Sequence, residues 1–317
     1  MAKAIEGIIP VMITPFTEDG AIDYAGLEKL INWYLAHDVD ALFAVCQSSE
    51  MQYLSLKERG ELGRFVVQQV GGRVPVISSG HISDDIDEQV TELTVAAETG
   101  ADAVVLVTNH LDPAKQGMAA FRRTTDTLLD RLPQDMPLGL YECPAPFRRL
   151  LSDDELKYCI DSGRFVVLKD VSCDLPTVER RVALANGSPM AIVNANAAIA
   201  RDAMRAGSLG FTGVFTNFHP DLYKWMRLSG DLHEDLAKRL NTFLVLAALS
   251  EAFGYPVLAK LYHQRLGTFG SIKSRVIEFD VREKFWALDA ILDQVVAGTE
   301  TFRAELAHLG AGAAAAA

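Results

Sequence analysis

Eight short apolar segments, separated by longer amphipathic stretches, constrain the fold of this chain more than any other feature of its sequence. The stretches between them, such as DYAGLEKLINWYLAHD and SDDELKYCIDSG, have helical spacing, and several begin with Asp, Ser or Thr and end on Gly. Apolar strands that alternate with helices predict a parallel sheet covered on both faces. Eight such units favour a (β/α)8 barrel, with a doubly wound sheet as the alternative. The apolar segments are 7–14, 41–46, 75–80, 102–108, 137–142, 165–170, 190–196 and 210–216.

The strand pattern stops at about residue 225, which predicts a change in architecture there. We expect the barrel to occupy residues 1–225 and a C-terminal helical region to occupy residues 226–309, because only helical spacing continues beyond this point. The segment 310–317, GAGAAAAA, is a low-complexity tail that we do not expect to belong to the fold.

Charge and composition narrow the classes of function. The chain has 317 residues, of which 30 are Lys or Arg and 42 are Asp or Glu, so its formal charge is −12. No segment concentrates bases as a nucleic-acid-binding face requires, and no apolar run reaches the roughly 18 residues that suggest a membrane span. The start, MAKAIEGIIPVMITPF, lacks the pattern of a signal peptide. We therefore expect a cytoplasmic protein, and its four scattered cysteines are expected to be free thiols.

Two reactive side chains end consecutive predicted strands. In a (β/α)8 barrel the active site surrounds the carboxyl ends of the strands, and Lys169 and Tyr141 both lie at such ends. A desolvated lysine has a lowered pKa and can attack a carbonyl to form a Schiff base, although an ion pair with Asp170 or a neighbouring carboxylate would explain it equally well. A phenol beside it can shuttle protons, whereas a tyrosine that only caps the core is the simpler alternative.

The loop after the second strand offers hydrogen-bond donors. Gln47, Ser48 and Ser49 lie in CQSSEMQYLSLKER, where the chain turns, and such groups suit a small carboxylate. A polar loop whose serines bond to their own backbone is the alternative.

The sequence contains possible metal ligands but no nucleotide-binding motif. His81, His110, Cys46, Cys143 and Cys173 all follow predicted strands and are of types that bind zinc, but no HxH or CxxC spacing supports a site. The chain contains neither GxGxxG nor GxxxxGK[ST], so a nucleotide cofactor is not indicated.

Taken together, these motifs resemble the dihydrodipicolinate synthase / N-acetylneuraminate lyase family of class I pyruvate-dependent aldolases. The resemblance runs over residues 7–280 and includes GIIPVMITPFTEDGAIDYAGLEKLI, CQSSEMQYLSLKER, the Tyr-x-x-Pro of Tyr141 to Pro144, the lysine of VVLKDVSCD, and GFTGVFTNFHP. It implies a (β/α)8 lyase in which Lys169 forms a Schiff base with pyruvate or another 2-oxo acid and Tyr141 shuttles protons. It further implies that Ser48 and Gln47 bind the carboxylate, and that the backbone carbonyl of Thr212 faces the substrate.

The resemblance also implies an aldehyde as the second substrate, a homo-oligomer such as a dimer or tetramer, and no metal or organic cofactor. Several positions depart from the family pattern. Cys46 and Ser49 replace glycines of the loop motif, and Pro146 stands where synthases carry the arginine that binds the second carboxylate. His110 and Leu111 replace paired aromatic residues, one of which is a tyrosine that neighbouring subunits contribute to proton transfer.

Sugar-acid lyases differ from this chain as well. Val171 replaces a hydroxyl residue, and Asn196 and Ala197 stand where the lyases carry acids for a polyol chain. Asn196 is therefore predicted to bind a substrate that is less hydroxylated than a sialic acid.

The residues at the strand ends and the family resemblance leave three possible functions. The first is a Schiff-base lyase or aldolase for a 2-oxo acid and an unidentified aldehyde, with or without dehydration. The second is a catalytically weak homologue that binds an oxo acid as a sensor or scaffold. The third is a metal-dependent lyase that uses the His and Cys side chains.

Overall fold

The computed structural model describes residues 4–315, and the side chains of residues 4–309. Eight parallel strands form one sheet in the order β1-β8-β7-β6-β5-β4-β3-β2. Each strand lies inside one of the predicted apolar segments, which confirms the predicted strands. The strands are β1 Gly7–Ile8, β2 Leu42–Phe43, β3 Val76–Ser78, β4 Ala103–Val107, β5 Leu138–Tyr141, β6 Phe165–Asp170, β7 Ala191–Asn194 and β8 Gly210–Phe211.

The sheet closes into a barrel between its first and second strands. A parallel bridge joins Val11 to Phe43, and the amide of Phe43 donates to the carbonyl of Pro10 at 2.9 Å. On the other side of β1, a Cβ at Gly210 would lie 1.9 Å from the carbonyl oxygen of Gly7, so this crossing requires a glycine. The predicted (β/α)8 barrel is confirmed.

A helix follows every strand, and most of these helices begin at a capping side chain. Ser55 with Glu58 and Ser152 with Glu155 form capping boxes, while Asp174 caps the sixth helix through the amide of Thr177. The eight barrel helices are α1 Tyr24–Ala36, α2 Leu56–Val70, α3 Ile86–Ala97, α4 Met118–Arg131, α5 Asp153–Asp161, α6 Leu175–Ala185, α7 Ala200–Arg205 and α8 Pro220–Ser229.

Alternation along the central strands decides which side chains face the barrel interior. In β4, Val105 and Val107 pack in the interior core, whereas Val104 and Leu106 pack against the surrounding helices. In β6, Val167 faces inward and Leu168 faces the helices. Lys169, one residue further along, therefore points back into the barrel at its carboxyl end.

The C-terminal region is helical, as predicted, but the predicted boundary at residue 225 is too early. Residue 225 lies inside α8, which belongs to the eighth barrel unit and ends at Ser229. The hydroxyl of Tyr262 donates to the carbonyl of Phe218 at 2.8 Å and so ties the C-terminal region to the loop after β8. The C-terminal helices are α9 Glu234–Ala248, α10 Val257–Arg265, α11 Val281–Lys284 and α12 Leu288–Ala315.

The last helix extends further than the sequence suggested. Because α12 continues to Ala315, most of the segment 310–317 set aside as a tail is helical, while residues 316 and 317 lie outside the described residues, as do residues 1–3. No single helix within residues 4–315 is both long and apolar enough to cross a membrane. One pair of segments, Glu234–Phe253 and Val257–Arg265, meets those requirements only when joined, and it is bent by 113°.

Candidate active site

A cavity of about 740 Å³ opens at the carboxyl ends of the strands. Its floor is formed by strand ends, and one wall comes from the C-terminal helical region. Pockets of this size and position are the usual substrate sites of (β/α)8 enzymes. The lining residues include Gln47, Ser48, Glu50, His110, Tyr141, Pro146, Lys169, Val171, Cys173, Asn196, Glu251 and Tyr255.

Lys169 and Tyr141 lie side by side on the cavity floor. They are paired residues in the register of β5 and β6, and the Nζ of Lys169 lies 4.4 Å from the centre of the Tyr141 ring. Both side chains are buried, with 7% and 4% of their surface exposed. Burial lowers the pKa of Lys169, and interactions with nearby acidic side chains, Cys46 first among them, partly offset this effect. The site therefore favours a neutral, nucleophilic amine more than water does.

Burial acts on the tyrosine in the opposite direction. It raises the pKa of Tyr141 well above its ordinary value, so the phenol holds its proton at neutral pH. The hydroxyl of Tyr141 donates a long hydrogen bond, 3.4 Å, to the Oε1 of Gln47. The Sγ of Cys143 lies at the same distance from that oxygen. Tyr141 thus presents a protonated hydroxyl on the cavity floor beside the amine.

The loop after β2 brings only part of the predicted carboxylate site to the cavity. Gln47 and Ser48 line the cavity, whereas Ser49 turns away from it. The hydroxyl of Ser49 is fully buried and contacts the carbonyls of Met12 and Ala44, both at 2.8 Å. Ser49 therefore holds the loop against the barrel, as in the structural alternative, because its hydroxyl bonds to backbone groups of the loop and of the segment beside it.

Asn196 and Thr212 occupy different depths. Asn196 lines the cavity and caps a short 3-10 turn, since its Oδ1 accepts from the amide of Ala198 at 2.9 Å. Thr212 lies below the cavity in the barrel interior, where its hydroxyl donates to the carbonyl of Ile9 at 2.8 Å. A small void in this interior is shared by Thr212 and Lys169.

A buried arginine holds the two reactive strand ends together. Arg181, on α6, binds Glu142 with both guanidinium NH groups and also binds Asp170, and all three side chains are at most 1% exposed. Glu142 directly follows Tyr141, and Asp170 directly follows Lys169. Asp170 is therefore paired with Arg181, not with Lys169, and among the described residues no carboxylate forms an ion pair with Lys169.

The C-terminal region contributes residues that the sequence analysis missed. Glu251 lies in the 3-10 segment Leu249–Phe253, and Tyr255 lies just after it, and both line the cavity. Burial raises the pKa of Tyr255, while its hydrogen bond with Ser48 lowers it. The Tyr255 hydroxyl also accepts from the Nδ2 of Asn217 at 3.1 Å. The Gly254–Tyr255–Pro256 sequence breaks the helical pattern, and this break is the only local sequence feature that could have indicated a segment outside the regular helices.

Glu50, another lining residue, is engaged in a separate network. Its carboxylate accepts from the Nζ of Lys260, from the Oγ of Ser274 at 2.9 Å and from the amide of Arg275 at 2.6 Å. Burial lowers the pKa of Lys260 to about 8, and Glu50 partly offsets this effect. This network ties the loop after β2 to the C-terminal region.

The two arginines after β5 do not reach the cavity. Arg148 donates to the carbonyls of Val171 and Ser172 at the rim, and Arg149 is paired with Glu155. Among the described residues that line the cavity, there is no arginine.

The possible metal ligands do not assemble into a site. His81 uses Nδ1 to accept from the amide of Val107 and Nε2 to donate to Gln89, both at 2.9 Å, and burial lowers its pKa to about 3. His110 is bonded to Asp84 at 2.6 Å. Within residues 4–309, no three His, Cys, Asp or Glu side chains are close enough to hold a metal ion. The metal-dependent alternative has no geometric support in this part of the chain.

Comparison with known proteins supports the same family as the motifs. The chain matches the dihydrodipicolinate synthetase family over residues 4–268. The 4-hydroxy-tetrahydrodipicolinate synthase of Polynucleobacter asymbioticus is 34% identical over 145 residues, and this match spans 45% of this chain and 45% of that protein. The chain thus covers less than half of that relative.

Solved structures agree on the fold. The dihydrodipicolinate synthase of Bacillus anthracis superposes with a TM-score of 0.81 at 23% identity, covering 91% of this chain and 97% of that one. The synthase of Acinetobacter baumannii, solved in complex with pyruvate, has a TM-score of 0.80 at 22% identity, covering 92% and 99%. Because the family match spans well over half of the sequence, the chain belongs to the dihydrodipicolinate synthetase family.

Proposed function

We propose that this protein is a Schiff-base lyase or aldolase that acts on pyruvate or a related 2-oxo acid and an aldehyde. The observation that carries the proposal is a buried lysine of lowered pKa, Lys169, next to a protonated phenol, Tyr141, on the floor of a large cavity. Membership in the family, and the pyruvate bound by the synthase of Acinetobacter baumannii, support the choice of donor.

The first step forms the covalent intermediate. The neutral Nζ of Lys169 attacks the ketone carbon of the oxo acid, and the carbonyl oxygen takes up protons and leaves as water. Tyr141 is placed to supply one of those protons, because its own proton is retained at neutral pH. The product is an imine that accepts electrons from the neighbouring carbon.

The second step makes or breaks a carbon–carbon bond. Loss of a proton from C3 of the imine gives an enamine, whose C3 attacks the aldehyde carbon, while the aldehyde oxygen takes up a proton. In the reverse direction, the C4 hydroxyl loses its proton, the C3–C4 bond breaks and the aldehyde leaves. C3 of the resulting enamine takes up a proton to restore the imine, and water then releases the oxo acid from Lys169. Ser48 and Gln47, at the cavity wall, are proposed to bind the carboxylate, with Asn196 and the Thr212 carbonyl as further substrate contacts.

Borohydride trapping tests the proposal. The protein is treated with borohydride with and without pyruvate, and its peptides are analysed by mass spectrometry. We expect a pyruvate-dependent reduced adduct on the Lys169 peptide and none in a Lys169→Arg variant. Lys260 is an internal control, since it is also buried and has a pKa lowered to about 8 but does not line the cavity.

Two outcomes would change the proposal. Failure of pyruvate and longer 2-oxo acids to label Lys169 would contradict it. An adduct on Lys169 without turnover of any aldehyde or deoxy sugar acid would favour the oxo-acid sensor or scaffold. The predicted homo-oligomer and cytoplasmic location remain predictions, for which light scattering and cell fractionation are the measurements.

A further inference from the structure

We infer that Glu251 selects the second substrate, and that this substrate is an aldehyde that carries a hydroxyl or amino group and no carboxylate. The inference rests on the proposed Schiff-base function and concerns the part of the cavity that faces the incoming aldehyde.

Glu251 differs from the other acid of the cavity wall. The carboxylate of Glu50 is buried and fully engaged by Lys260, Ser274 and backbone amides. The side chain of Glu251 is exposed at the cavity and has no hydrogen-bond or ion-pair partner among the described residues. An unpaired carboxylate that faces a cavity is free to accept hydrogen bonds from a ligand.

The electrostatic interaction between Glu251 and Lys169 supports the placement of Glu251 in the cavity. Glu251 lies close enough to Lys169 for the lysine to lower the pKa of the carboxyl group, although partial burial raises it by more. Glu251 in turn raises the pKa of Lys169, which burial lowers. The carboxylate therefore belongs to the same cavity as the imine and faces the space beside it.

The lack of a free cationic side chain among the described residues that line the cavity also favours an aldehyde without a carboxylate. Of the Lys and Arg side chains among the described residues, only Lys169 lines the cavity, and it is consumed in the imine. Arg148 and Arg149 are engaged at the rim and with Glu155, and Pro146 supplies no charge. A carboxylated aldehyde would therefore meet a like charge at Glu251 with no arginine to compensate, whereas a hydroxyl or ammonium group would find an acceptor.

The test uses a series of short straight-chain aldehydes of matched length that end in methyl, hydroxyl, amino or carboxylate groups. Each is incubated with pyruvate and the full-length protein, and the initial rate of condensation is measured by mass spectrometry. We expect the hydroxyl or amino aldehydes to have the highest kcat/KM, and the carboxylated ones the lowest. In Glu251→Gln this preference should fall about tenfold or more, chiefly through the KM of the aldehyde.

Two further variants sharpen the test. Glu251→Arg should favour the carboxylated aldehydes, because it introduces the missing cation. Glu278→Gln is the matched control, since Glu278 is exposed and does not line the cavity, and it should leave the ranking unchanged. All rates are expressed per Lys169 that borohydride traps with pyruvate.

The outcomes separate this inference from the proposed function. Failure to trap pyruvate or any longer 2-oxo acid on Lys169 in the unmodified protein overturns the proposed function and the inference together. If trapping succeeds and aldehydes condense, the inference alone is overturned by a preference for carboxylated aldehydes or by the same ranking in Glu251→Gln. Trapping without condensation of any aldehyde overturns the inference and favours the oxo-acid sensor or scaffold.

Discussion

Replacing Arg181 by methionine is expected to destabilise the protein by about 3–5 kcal/mol, the usual cost of breaking a buried ion pair. The guanidinium contacts Glu142 and Asp170, which are 0% exposed, so its removal leaves two buried carboxylates without a counter-ion. Burial already raises the pKa of Glu142, and Arg181 is the main influence that lowers it.

The hydrogen bonds that remain around the two carboxylates limit this loss of stability. Glu142 still accepts from the amides of Leu151 and Val171 at 2.8 and 3.0 Å, and Asp170 still accepts from the amide and hydroxyl of Ser172. A loss of this size is a large part of the roughly 5–15 kcal/mol by which most proteins are stable.

Urea unfolding at neutral pH measures the effect, and the adjacent Arg180 provides the control. Arg180 pairs with Asp153 at 2.8 Å, but both side chains are about half exposed, so Arg180→Met should cost at most about 1 kcal/mol. The triple variant Arg181→Met, Glu142→Gln, Asp170→Asn should recover part of the loss, because it removes the charges as well.

The reasoning also predicts an effect on chemistry. Arg181 is buried and does not line the cavity, so we predict that it acts by positioning Tyr141 and Lys169, and the rate of pyruvate trapping in folded Arg181→Met should fall even at saturating pyruvate. A stability loss below about 1 kcal/mol, equal to that of Arg180→Met, would refute the argument from burial.

Further predictions concern single groups. Tyr141→Phe should still form the trapped adduct but lose about 10²–10⁴-fold in turnover, and unchanged steady-state turnover would contradict its role in proton transfer. Ser48→Ala should raise the KM for pyruvate with little change in stability, whereas Ser49→Ala should cost about 1–3 kcal/mol in urea unfolding with little change in KM. Burial lowers the pKa of His81, His219 and His263 to about 3, so the unfolded chain binds more protons below pH 6.5. Stability should therefore fall from pH 6.5 toward 3, by up to about 1.4 kcal/mol per pH unit for each histidine, and His219→Phe should reduce the slope by up to that amount; a slope unchanged in that variant would count against the assignment.

Much of the candidate site could be predicted from the sequence, because it lies on strands. Strand spacing and the alternation of side chains are set by neighbouring residues along the chain, so the eight apolar segments predicted both the barrel and the ends at which chemistry would lie. Lys169 and Tyr141 follow from this rule, since consecutive parallel strands bring equivalent ends together.

Strand spacing did not predict how loop residues and the C-terminal helices are placed at the cavity. Ser48 and Ser49 are adjacent, yet one faces the cavity and the other bonds to Met12 and Ala44, because the hydrogen bonds of a single 3-10 turn decide where each points. Glu251 and Tyr255 reach the cavity only because the C-terminal helices pack against the barrel mouth.

By itself, then, the sequence determined the eight-stranded barrel and the placement of Lys169 and Tyr141 at neighbouring strand ends, through periodicities that act over a few residues. Tertiary structure alone decided which acids and cations face the cavity. It paired Asp170 with Arg181 and Glu50 with Lys260, and it left Glu251 without a partner among the described residues. Such pairings depend on contacts between residues far apart in the chain, and no local pattern encodes them.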